Sequence, residues 1–319
     1  MKRMLVLLFT LLLFGAALQL GIHWWVSTPA PRYRVFEGLQ FEVIAHQGGA
    51  GIAPPNTLTA MRAALAAGTD VLEMDIRSTR DGRIVVFHDQ TLDRTTSCSG
   101  AVTAKTLVGL QACDKGYFFM PGKTGYGQRS ATGAGGPGNP DPYPFRNHGI
   151  RIPTLDEVFS AFPGQRMVIE IKQAEPSLVS GFCEMIRAFN MQDHVVIGSF
   201  KQDAMDEFRE ACPEVATSAT LTEALTFFLA DKIGLSSAIS PVYAALQIPA
   251  AVVWPESWFL PDFKLVSSSL VKAAHARGIV VQVWTINDIK EMRALLAMGV
   301  DGIMTDFPAR LVETVRQHR

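Results

Sequence analysis

Short runs of aliphatic and β-branched residues alternate with longer stretches of helical periodicity from Phe41 to the end of the chain. Strands that are separated by helices indicate parallel β-α units. We therefore predict an α/β fold whose closed form is a (β/α)8 barrel. An open, doubly wound sheet is the alternative. It is disfavoured because no glycine-rich phosphate turn follows the first strand before its helix.

Nine segments have the pattern of a strand and seven have the pattern of a helix. A (β/α)8 barrel leaves no place for the ninth strand, so at least one segment must lie outside it. The predicted strands cover residues 42–45, 71–75, 84–88, 167–171, 195–199, 216–221, 244–248, 280–285 and 302–305. The predicted helices cover residues 57–67, 177–189, 202–211, 222–232, 266–276, 289–297 and 309–317.

Residues 121–149 interrupt this alternation. They contain eight glycines and five prolines in twenty-nine positions, a composition that is typical of a long loop and not of a core element. We place this loop in a small insertion of about residues 90–150, after the third predicted strand. In a barrel it would cover the face formed by the C-terminal strand ends, either as a substrate lid or as a mobile surface loop.

The N-terminal segment is the most hydrophobic part of the chain. Lys2 and Arg3 precede residues 4–22, nineteen positions without a charge. As a helix this run would be roughly 28 Å long, which is close to the hydrocarbon thickness of a bilayer. Trp24 and Trp25 follow, where interfacial aromatic residues lie in membrane proteins. This pattern predicts a transmembrane helix with Lys2 and Arg3 on the cytoplasmic side.

We divide the chain accordingly into a membrane anchor (residues 1–26), a linker (27–40) and a barrel domain (41–319). A signal peptide cleaved near residues 15–17 is the alternative for the first segment, and a buried core helix is a third possibility. An anchor would hold the barrel domain outside the cytoplasm, in the periplasm or at the cell exterior. Cleavage of a signal peptide would instead release the domain as a secreted protein.

Charge and cysteine content indicate which partners the protein binds and whether its cysteines form disulfides. Lys and Arg total 29 against 30 Asp and Glu, for a net charge of −1, so a nucleic-acid partner is disfavoured because such proteins carry a basic excess. Cys98 and Cys113 both fall in the insertion and are candidates for a disulfide in an exported chain. Cys183 and Cys212 lie on successive predicted helices, and we expect them to be buried thiols.

Polar residues that carry chemistry lie at the ends of the first four predicted strands. In a parallel barrel these ends meet at one rim, and residues two apart on a strand share a face. The rim would therefore collect acids, imidazoles and an amine. The residues are His46, Glu73, Asp75, His88 with Asp89, Glu170 and Lys172.

This collection suits phosphoryl transfer at a metal site. Glu73, Asp75 and Glu170 would repel one another unless a divalent cation neutralised them, and oxygen ligands without cysteine select Mg²⁺ or Ca²⁺. His46 and His88 titrate near neutrality and are suited to general acid–base catalysis. Lys172 would offset the charge of an anionic substrate.

The sequence also contains ten short motifs, in order, that together resemble the glycerophosphodiester phosphodiesterase family. The resemblance covers about residues 41–317. The motifs are His46-Gln47-Gly48, Pro54-Pro55-Asn56-Thr57, Glu73-Met74-Asp75, Thr79-Arg80-Asp81-Gly82, His88-Asp89, Asp93-Arg94-Thr95-Thr96, Ile152-Pro153-Thr154-Leu155, Glu170-Ile171-Lys172, Trp284-Thr285-Ile286-Asn287 and Asp301-Gly302-Ile303-Met304-Thr305-Asp306.

The resemblance implies a TIM barrel with an insertion after the His-Asp strand. It implies metal-dependent hydrolysis of a small-molecule or lipid-derived phosphodiester to glycerol 3-phosphate and an alcohol. It assigns Glu73, Asp75 and Glu170 as ligands of Mg²⁺ or Ca²⁺, His46 and His88 as the acid–base pair, and Lys172 and Trp284 as substrate contacts.

Two positions depart from the family pattern. Gln47 stands where the family has a phosphate-binding arginine, and Pro55 stands where it has a glutamate. A glutamine at position 47 can still donate a hydrogen bond to a phosphoryl oxygen, but it lacks the charge and the bidentate geometry of arginine. These departures bear on which substrate is bound more than on the type of reaction.

Two alternative functions remain open at this point. Trp254, Trp258, Phe259 and Phe263 lie in a proline-containing stretch that could form an apolar lip for an acyl chain, and the chain would then be a lysophospholipase D. A catalytically inactive, anchored binding protein would account for the changes at positions 47 and 55. The retained histidines and carboxylates argue against that second alternative.

Overall fold

The computed structural model describes residues 27–122, 143–252 and 263–318, together with Thr10 and Gly15. Within these residues, eight parallel strands form a nearly closed barrel in the order β6-β5-β4-β2-β1-β11-β10-β7. A parallel bridge between Ser218 and Ala245 brings the two end strands together. The barrel strands are β1 (Glu42–Ala45), β2 (Val71–Ser78), β4 (Met167–Ile171), β5 (Val195–Gly198), β6 (Ala216–Thr217), β7 (Ala245–Pro249), β10 (Val280–Trp284) and β11 (Gly302–Thr305). Outside the barrel, β8 (Ala251–Val252) and β9 (Phe263–Lys264) pair antiparallel as a separate sheet.

Helices connect these strands as the periodicity predicts. Thr154 and Thr220 each begin a helix with a capping box, in which the threonine side chain and a glutamate three residues later satisfy the first free amides. The helices are α1 (Leu58–Ala66), α2 (Leu107–Gln111), α3 (Leu155–Ala161), α4 (Val179–Ala188), α5 (Gln202–Ala211), α6 (Leu221–Lys232), α7 (Ser268–Ala276), α8 (Ile289–Met298) and α9 (Pro308–His318).

Alternation along the strands separates the barrel interior from the layer between strands and helices. On β2, Val71 packs inside the barrel, whereas Leu72 and Met74 pack in the outer core against the helices. On β4, Val168 packs inside and Ile169 outside. The same period of two continues toward the C-terminal ends of both strands, where the inward positions become polar. This is how the fold places carboxylates at one mouth of the barrel.

The strand predicted at residues 84–88 is the one that does not belong to the barrel. It forms β3 (Ile84–Val86), which pairs antiparallel with β2. The period of an apolar run does not specify the direction of its partner strand, so the sequence pattern could not distinguish a hairpin from a barrel strand. The insertion that follows β3 therefore lies between the second and third strands of the barrel.

The insertion has a small core of its own. Val85, Phe87 and Leu92 pack there with residues from both ends of the insertion. The predicted disulfide between Cys98 and Cys113 is present, with Cα atoms 5.5 Å apart. Residues 123–142 lie outside the described residues, so the expected lid or loop falls largely there.

The prediction that Cys183 and Cys212 are buried thiols is wrong, because they form a second disulfide. Cys183 lies on α4, and Cys212 is the residue that ends α5. The two helices pack side by side and bring these Cα atoms to 5.9 Å, within the range that a disulfide spans. This proximity is a tertiary feature that the local sequence does not encode.

Residues 27–40, predicted as a linker, contact the base of the barrel. Ala30 N donates to Arg277 O at 2.8 Å, and Arg166 Nη2 donates to Val35 O at 2.7 Å. Val35 is buried against the inward-facing residues of the strands. In the part of the chain that the structure covers, no helix has the length and apolar character needed to cross a bilayer. Of the predicted anchor, only Thr10 and Gly15 are among the described residues.

Candidate active site

The C-terminal ends of the strands open into a cavity of about 290 Å³. Six of the eight predicted site residues line it: His46, Glu73, His88, Glu170, Lys172 and Trp284. Gln47 and Asp75 do not line the cavity but contact its lining, since Gln47 N donates to Glu73 and Asp75 pairs with Lys172. The structure therefore brings together all of the residues that the sequence selected.

Three carboxylates form the floor of the cavity. Glu73, Asp75 and Glu170 each offer one oxygen, and these oxygens all lie within 4.8 Å of one another. Burial, and after it the charge of Asp75, raise the pKa of Glu73 to about 8. A hard divalent cation fits this donor set, since every donor is an oxygen and the cation would relieve the repulsion.

Lys172 bridges two of the carboxylates. Its Nζ lies 3.1 Å from Asp75 Oδ1 and 2.8 Å from Glu170 Oε1. Burial disfavours the charged form of Lys172, but the two carboxylates outweigh this effect and raise its pKa. Burial likewise favours protonation of Asp75, yet Lys172 and further partners lower its pKa overall. Lys172 is therefore a fixed positive charge at the cavity wall.

Two side chains behind the cavity orient Asp75. Gln47 Nε2 and Asn56 Nδ2 both donate to Asp75 Oδ2 at 2.8 Å. Gln47 and Asn56 have positive φ angles of 50° and 59°, a backbone conformation that non-glycine residues adopt at some cost. Their turn is closed by the hydrogen bond from Asn56 N to Gln47 O at 2.8 Å. The amide of Gln47 thus contacts a carboxylate in this structure.

His46 is the end of a hydrogen-bonded chain that begins outside the cavity. Its Nδ1 lies 2.7 Å from Asp306 Oδ1. Asn287 Nδ2 donates to Asp306 Oδ2 at 2.8 Å, and Asp306 N donates to Asn287 Oδ1 at 2.9 Å. Burial alone would lower the pKa of His46. The hydrogen bond with Asp306 and the charge of Glu73 outweigh burial and raise that pKa to about 9.

His88 has a similar arrangement on the other side of the cavity. Its Nδ1 lies 2.7 Å from Asp89 Oδ1. Arg94 holds Asp89 through two hydrogen bonds of 2.7 and 2.8 Å. Burial favours protonation of Asp89, but the contacts with His88 and Arg94 lower its pKa well below the ordinary value. In both pairs an aspartate occupies Nδ1, so Nε2 is the nitrogen available for proton transfer.

Comparison with protein families decides the identity of this site. The model of the glycerophosphoryl diester phosphodiesterase family matches residues 46–310. The chain belongs to this family. It is therefore a phosphoric diester hydrolase with a TIM-barrel fold, as the motifs implied.

Relatives of this phosphodiesterase share both sequence and fold. It is 29% identical over 284 residues to a glycerophosphodiester phosphodiesterase of Caldanaerobacter subterraneus, covering 86% of this chain and 98% of the relative. A human lysophospholipase D is 28% identical, with 84% of each chain covered.

Solved structures have the same fold. The glycerophosphoryl diester phosphodiesterase domain of a Mycobacterium tuberculosis protein superposes with a TM-score of 0.71 at 19% identity, covering 88% of this chain and 100% of that one. An Oleispira antarctica phosphodiesterase, solved with the product sn-glycerol-3-phosphate, has a TM-score of 0.60 at 23% identity, covering 88% and 99%.

The other half of the phosphodiesterase cavity is apolar. Phe200, Leu221, Ile248 and Trp284 line it opposite the carboxylates. The rings of Phe200 and Trp284 meet edge to face, with centroids 5.9 Å apart. Phe263, predicted as part of an apolar lip, packs instead on Phe228 at 5.5 Å. The remaining aromatic residues of that predicted lip, at positions 254, 258 and 259, lie outside the described residues.

Several functional positions of this family member were not selected from the sequence. Asp306, Asn287 and Asn56 all stand within the family motifs, but sequence reasoning alone assigns no role to them. Asn56 orients Asp75, Asp306 orients His46, and Asn287 in turn holds Asp306. A polar residue inside a motif that ends a strand was the signal that could have identified them.

Proposed function

We propose that this phosphodiesterase hydrolyses glycerophosphodiesters, using Glu73, Asp75 and Glu170 to hold a divalent cation and His46 and His88 to transfer protons. The observation that carries the proposal is that both imidazoles border one cavity with the carboxylate cluster. Each imidazole has its Nδ1 fixed by an aspartate. A proton acceptor, a proton donor and an anion-binding site are therefore available to one substrate.

Glu73, Asp75 and Glu170 would hold a divalent cation, Mg²⁺ or Ca²⁺. When bound, the cation would supply charge neutralisation for a phosphoryl oxygen and would lower the pKa of the attacking hydroxyl group. Lys172 adds positive charge to the same region, since its pKa is raised by the carboxylates that it contacts. The phosphate is bound where these charges meet.

Proton transfer then falls to the two histidines. A hydroxyl group, from water or from the substrate's glycerol, gives its proton to one imidazole Nε2 as its oxygen forms a bond to phosphorus. The phosphorus–oxygen bond to the departing alcohol breaks, and the other imidazole donates its proton to that oxygen. With water as the nucleophile, the products are glycerol 3-phosphate and an alcohol. With the glycerol hydroxyl group as the nucleophile, the alcohol leaves and a cyclic glycerol phosphate forms, which a water molecule then opens to glycerol 3-phosphate with the same two proton transfers.

Chelation and histidine substitution test this proposal. Excess EDTA should abolish hydrolysis of glycerophosphocholine, and Mg²⁺ or Ca²⁺ should restore it. His46→Ala and His88→Ala should each reduce kcat by at least ~100-fold. His275→Ala is the matched control, because His275 also pairs with an aspartate, at 2.8 Å, but does not line the cavity. Full activity in chelator, or a normal rate in either cavity variant, would contradict the proposal.

Lysophospholipids are a second candidate substrate class, favoured by the apolar half of the cavity. Phe200, Leu221 and Trp284 offer a surface on which an acyl chain could pack while the headgroup phosphate reaches Lys172. Similarity to a human lysophospholipase D supports this candidate. A comparison of kcat/KM for glycerophosphocholine and lysophosphatidylcholine distinguishes the two substrates, with a preference for the latter expected if the apolar wall binds substrate.

We further propose that residues 1–26 anchor the protein in a membrane, with the barrel outside the cytoplasm. The uncharged run at residues 4–22 and the two disulfides support this location, since disulfides persist in oxidising compartments. Mass spectrometry of the unreduced protein, isolated from the membrane fraction of its cells, tests both points. Recovery in the soluble cytoplasmic fraction with four free thiols would contradict them.

A further inference from the structure

Helix α6 exposes a continuous row of large aliphatic side chains. Leu221, Leu225, Leu229 and Ile233 follow one another at intervals of four residues and are each between 46% and 67% exposed. Residues four apart lie on the same face of a helix. The row therefore extends along the whole of α6, a length of about 18 Å.

The rest of this face has little charge. The other exposed positions of α6 are Thr222, Thr226 and Lys232. Its two acidic residues are partly buried, and one of them, Glu223, pairs with Arg209 at 2.6 Å. The adjacent helix α5 differs, because its exposed positions are acidic: Asp203, Asp206, Glu207 and Glu210. The α5 face is typical of a helix in water, and the α6 face is not.

The two ends of the row meet two other features of the molecule. At the first end, Leu221 lines the candidate active-site cavity. At the other end, the loop after Ile233 receives the N-terminal segment: Ser27 Oγ donates to Ser237 O, and Thr28 N donates to Ser240 Oγ at 3.2 Å. Ser27, five positions after the uncharged run of residues 4–22, thus lies beside the far end of the row.

We propose that the aliphatic face of α6 docks on the surface of the lipid bilayer and lays the barrel on its side. The N-terminal segment enters the bilayer at one end of the helix, and the cavity opens at the bilayer surface at the other. A lipid-derived phosphodiester could then pass from the membrane along Leu221 into the cavity. This inference rests on the proposed membrane anchor for the position of the N-terminal segment, and on the proposed hydrolysis only for that last step.

A fluorescent label on the full-length protein in phosphatidylcholine vesicles tests the docking. The four native cysteines are paired in disulfides, so Leu229→Cys provides a single free thiol for an environment-sensitive bimane label. Ala66→Cys is the matched control, because Ala66 is exposed on α1, on the opposite side of the barrel. Nitroxide-labelled phosphatidylcholine in the vesicles quenches a label that contacts lipid.

We expect blue-shifted emission and roughly twofold or stronger quenching at position 229, since the apolar face of an interfacial helix lies about 5–10 Å into the bilayer. The label at position 66 should emit as in water and stay unquenched. Equal quenching at both positions would overturn the proposal. Blue-shifted emission without quenching would also overturn it, because a second copy or the protein's own N-terminal segment would then cover the face.

If Leu229→Cys does not fold, a bimane label on Leu225→Cys probes the same face of α6. The fluorescence measurement requires no turnover, so an inactive protein that is quenched at position 229 would contradict only the proposed hydrolysis. A complementary variant, Leu225→Ser with Leu229→Ser, should slow hydrolysis of vesicle-embedded lysophosphatidylcholine by about tenfold. It should leave soluble glycerophosphocholine unaffected, since neither residue lines the cavity.

Discussion

Replacing Asp306 by asparagine tests whether the protonation of His46 is controlled from outside the cavity. The carboxylate lies 2.7 Å from His46 Nδ1 and accepts from Asn287 Nδ2 at 2.8 Å. In Asp306→Asn, the new amide oxygen must face the Asn287 donor, so the new amide NH₂ faces His46. A donor at that position favours the neutral imidazole with its proton on Nε2 and disfavours the imidazolium form, so His46 can no longer take up and release a proton at Nε2 near neutral pH.

The size of the expected change in the pKa of His46 can be worked out from its pKa in the wild-type protein. Its rise from 6.5 to about 9 corresponds to roughly 3 kcal/mol of preference for the imidazolium form, shared between Asp306 and the nearby glutamate and aspartate. A charge-assisted hydrogen bond accounts for about 1.5–3 kcal/mol of such a preference. We therefore expect the substitution to lower the pKa of His46 by one to two units, on the order of that bond energy.

Steady-state kinetics across pH measure this change. We expect kcat to fall by about 100-fold or more, the pH–rate limb of His46 to move to lower pH, and KM to change little because Asp306 does not line the cavity. In chelator, the wild-type protein should lose thermal stability between about pH 6.5 and 9, because its folded-state pKa lies above the unfolded value. Asp306→Asn should lose less thermal stability than the wild-type protein over the same pH range.

Asp301→Asn is the control, since Asp301 pairs with His275 at 2.8 Å outside the cavity. It should leave the pH profile of kcat unchanged. If Asp306→Asn retains the wild-type rate and its pH profile superimposes on that of the wild type, Asp306 does not set the protonation state of His46.

Three further predictions concern the metal site and the insertion. Mg²⁺ or Ca²⁺ should raise the melting temperature more at pH 9 than at pH 6, because the pKa of Glu73 is about 8 and a protonated acid is a poor ligand; equal shifts would contradict this. Replacing Cys98 and Cys113 by serine should lower the free energy of unfolding in urea by about 3 kcal/mol, and an unchanged midpoint would refute a structural role. Gln47→Ala should raise the cation concentration for half-maximal activity by roughly tenfold with KM nearly unchanged, since Gln47 holds Asp75. A higher KM alone would assign Gln47 to substrate binding.

The sequence predicted the barrel and its rim because both depend on local patterns. The period of two places Glu73 with Asp75, and Glu170 with Lys172, on one face wherever the strands lie. The antiparallel direction of β3 was not predictable in this way, since both directions share one hydrophobic pattern. His88 reaches the cavity nonetheless, because Phe87 N donates to Asp75 O at 2.8 Å and fixes the return of the hairpin.

The residues that hold the active-site side chains in place, and the second disulfide, depend on contacts between distant parts of the chain. His46 and Asp306 are 260 positions apart and meet only because β1 and β11 are neighbours in the barrel. The pairing of Cys183 with Cys212 likewise depends on how two helices pack. Such residues carry no periodic signal, so their roles emerge only when the strand order is known.

Side chains on β2 and β4 point alternately into the barrel and toward the helices. The position of the carboxylates therefore depends on the exact number of residues that precede them in each strand. Asp75 and Glu170 are direct register partners. Inserting one residue between Val71 and Leu72 would turn both carboxylates of β2 into the helix layer and bring leucine and methionine to the cavity. Inserting two would restore the face but move the ligands about 6–7 Å along the strand, away from their partner. Length within these two strands is therefore a stricter requirement than the identity of any apolar residue in them.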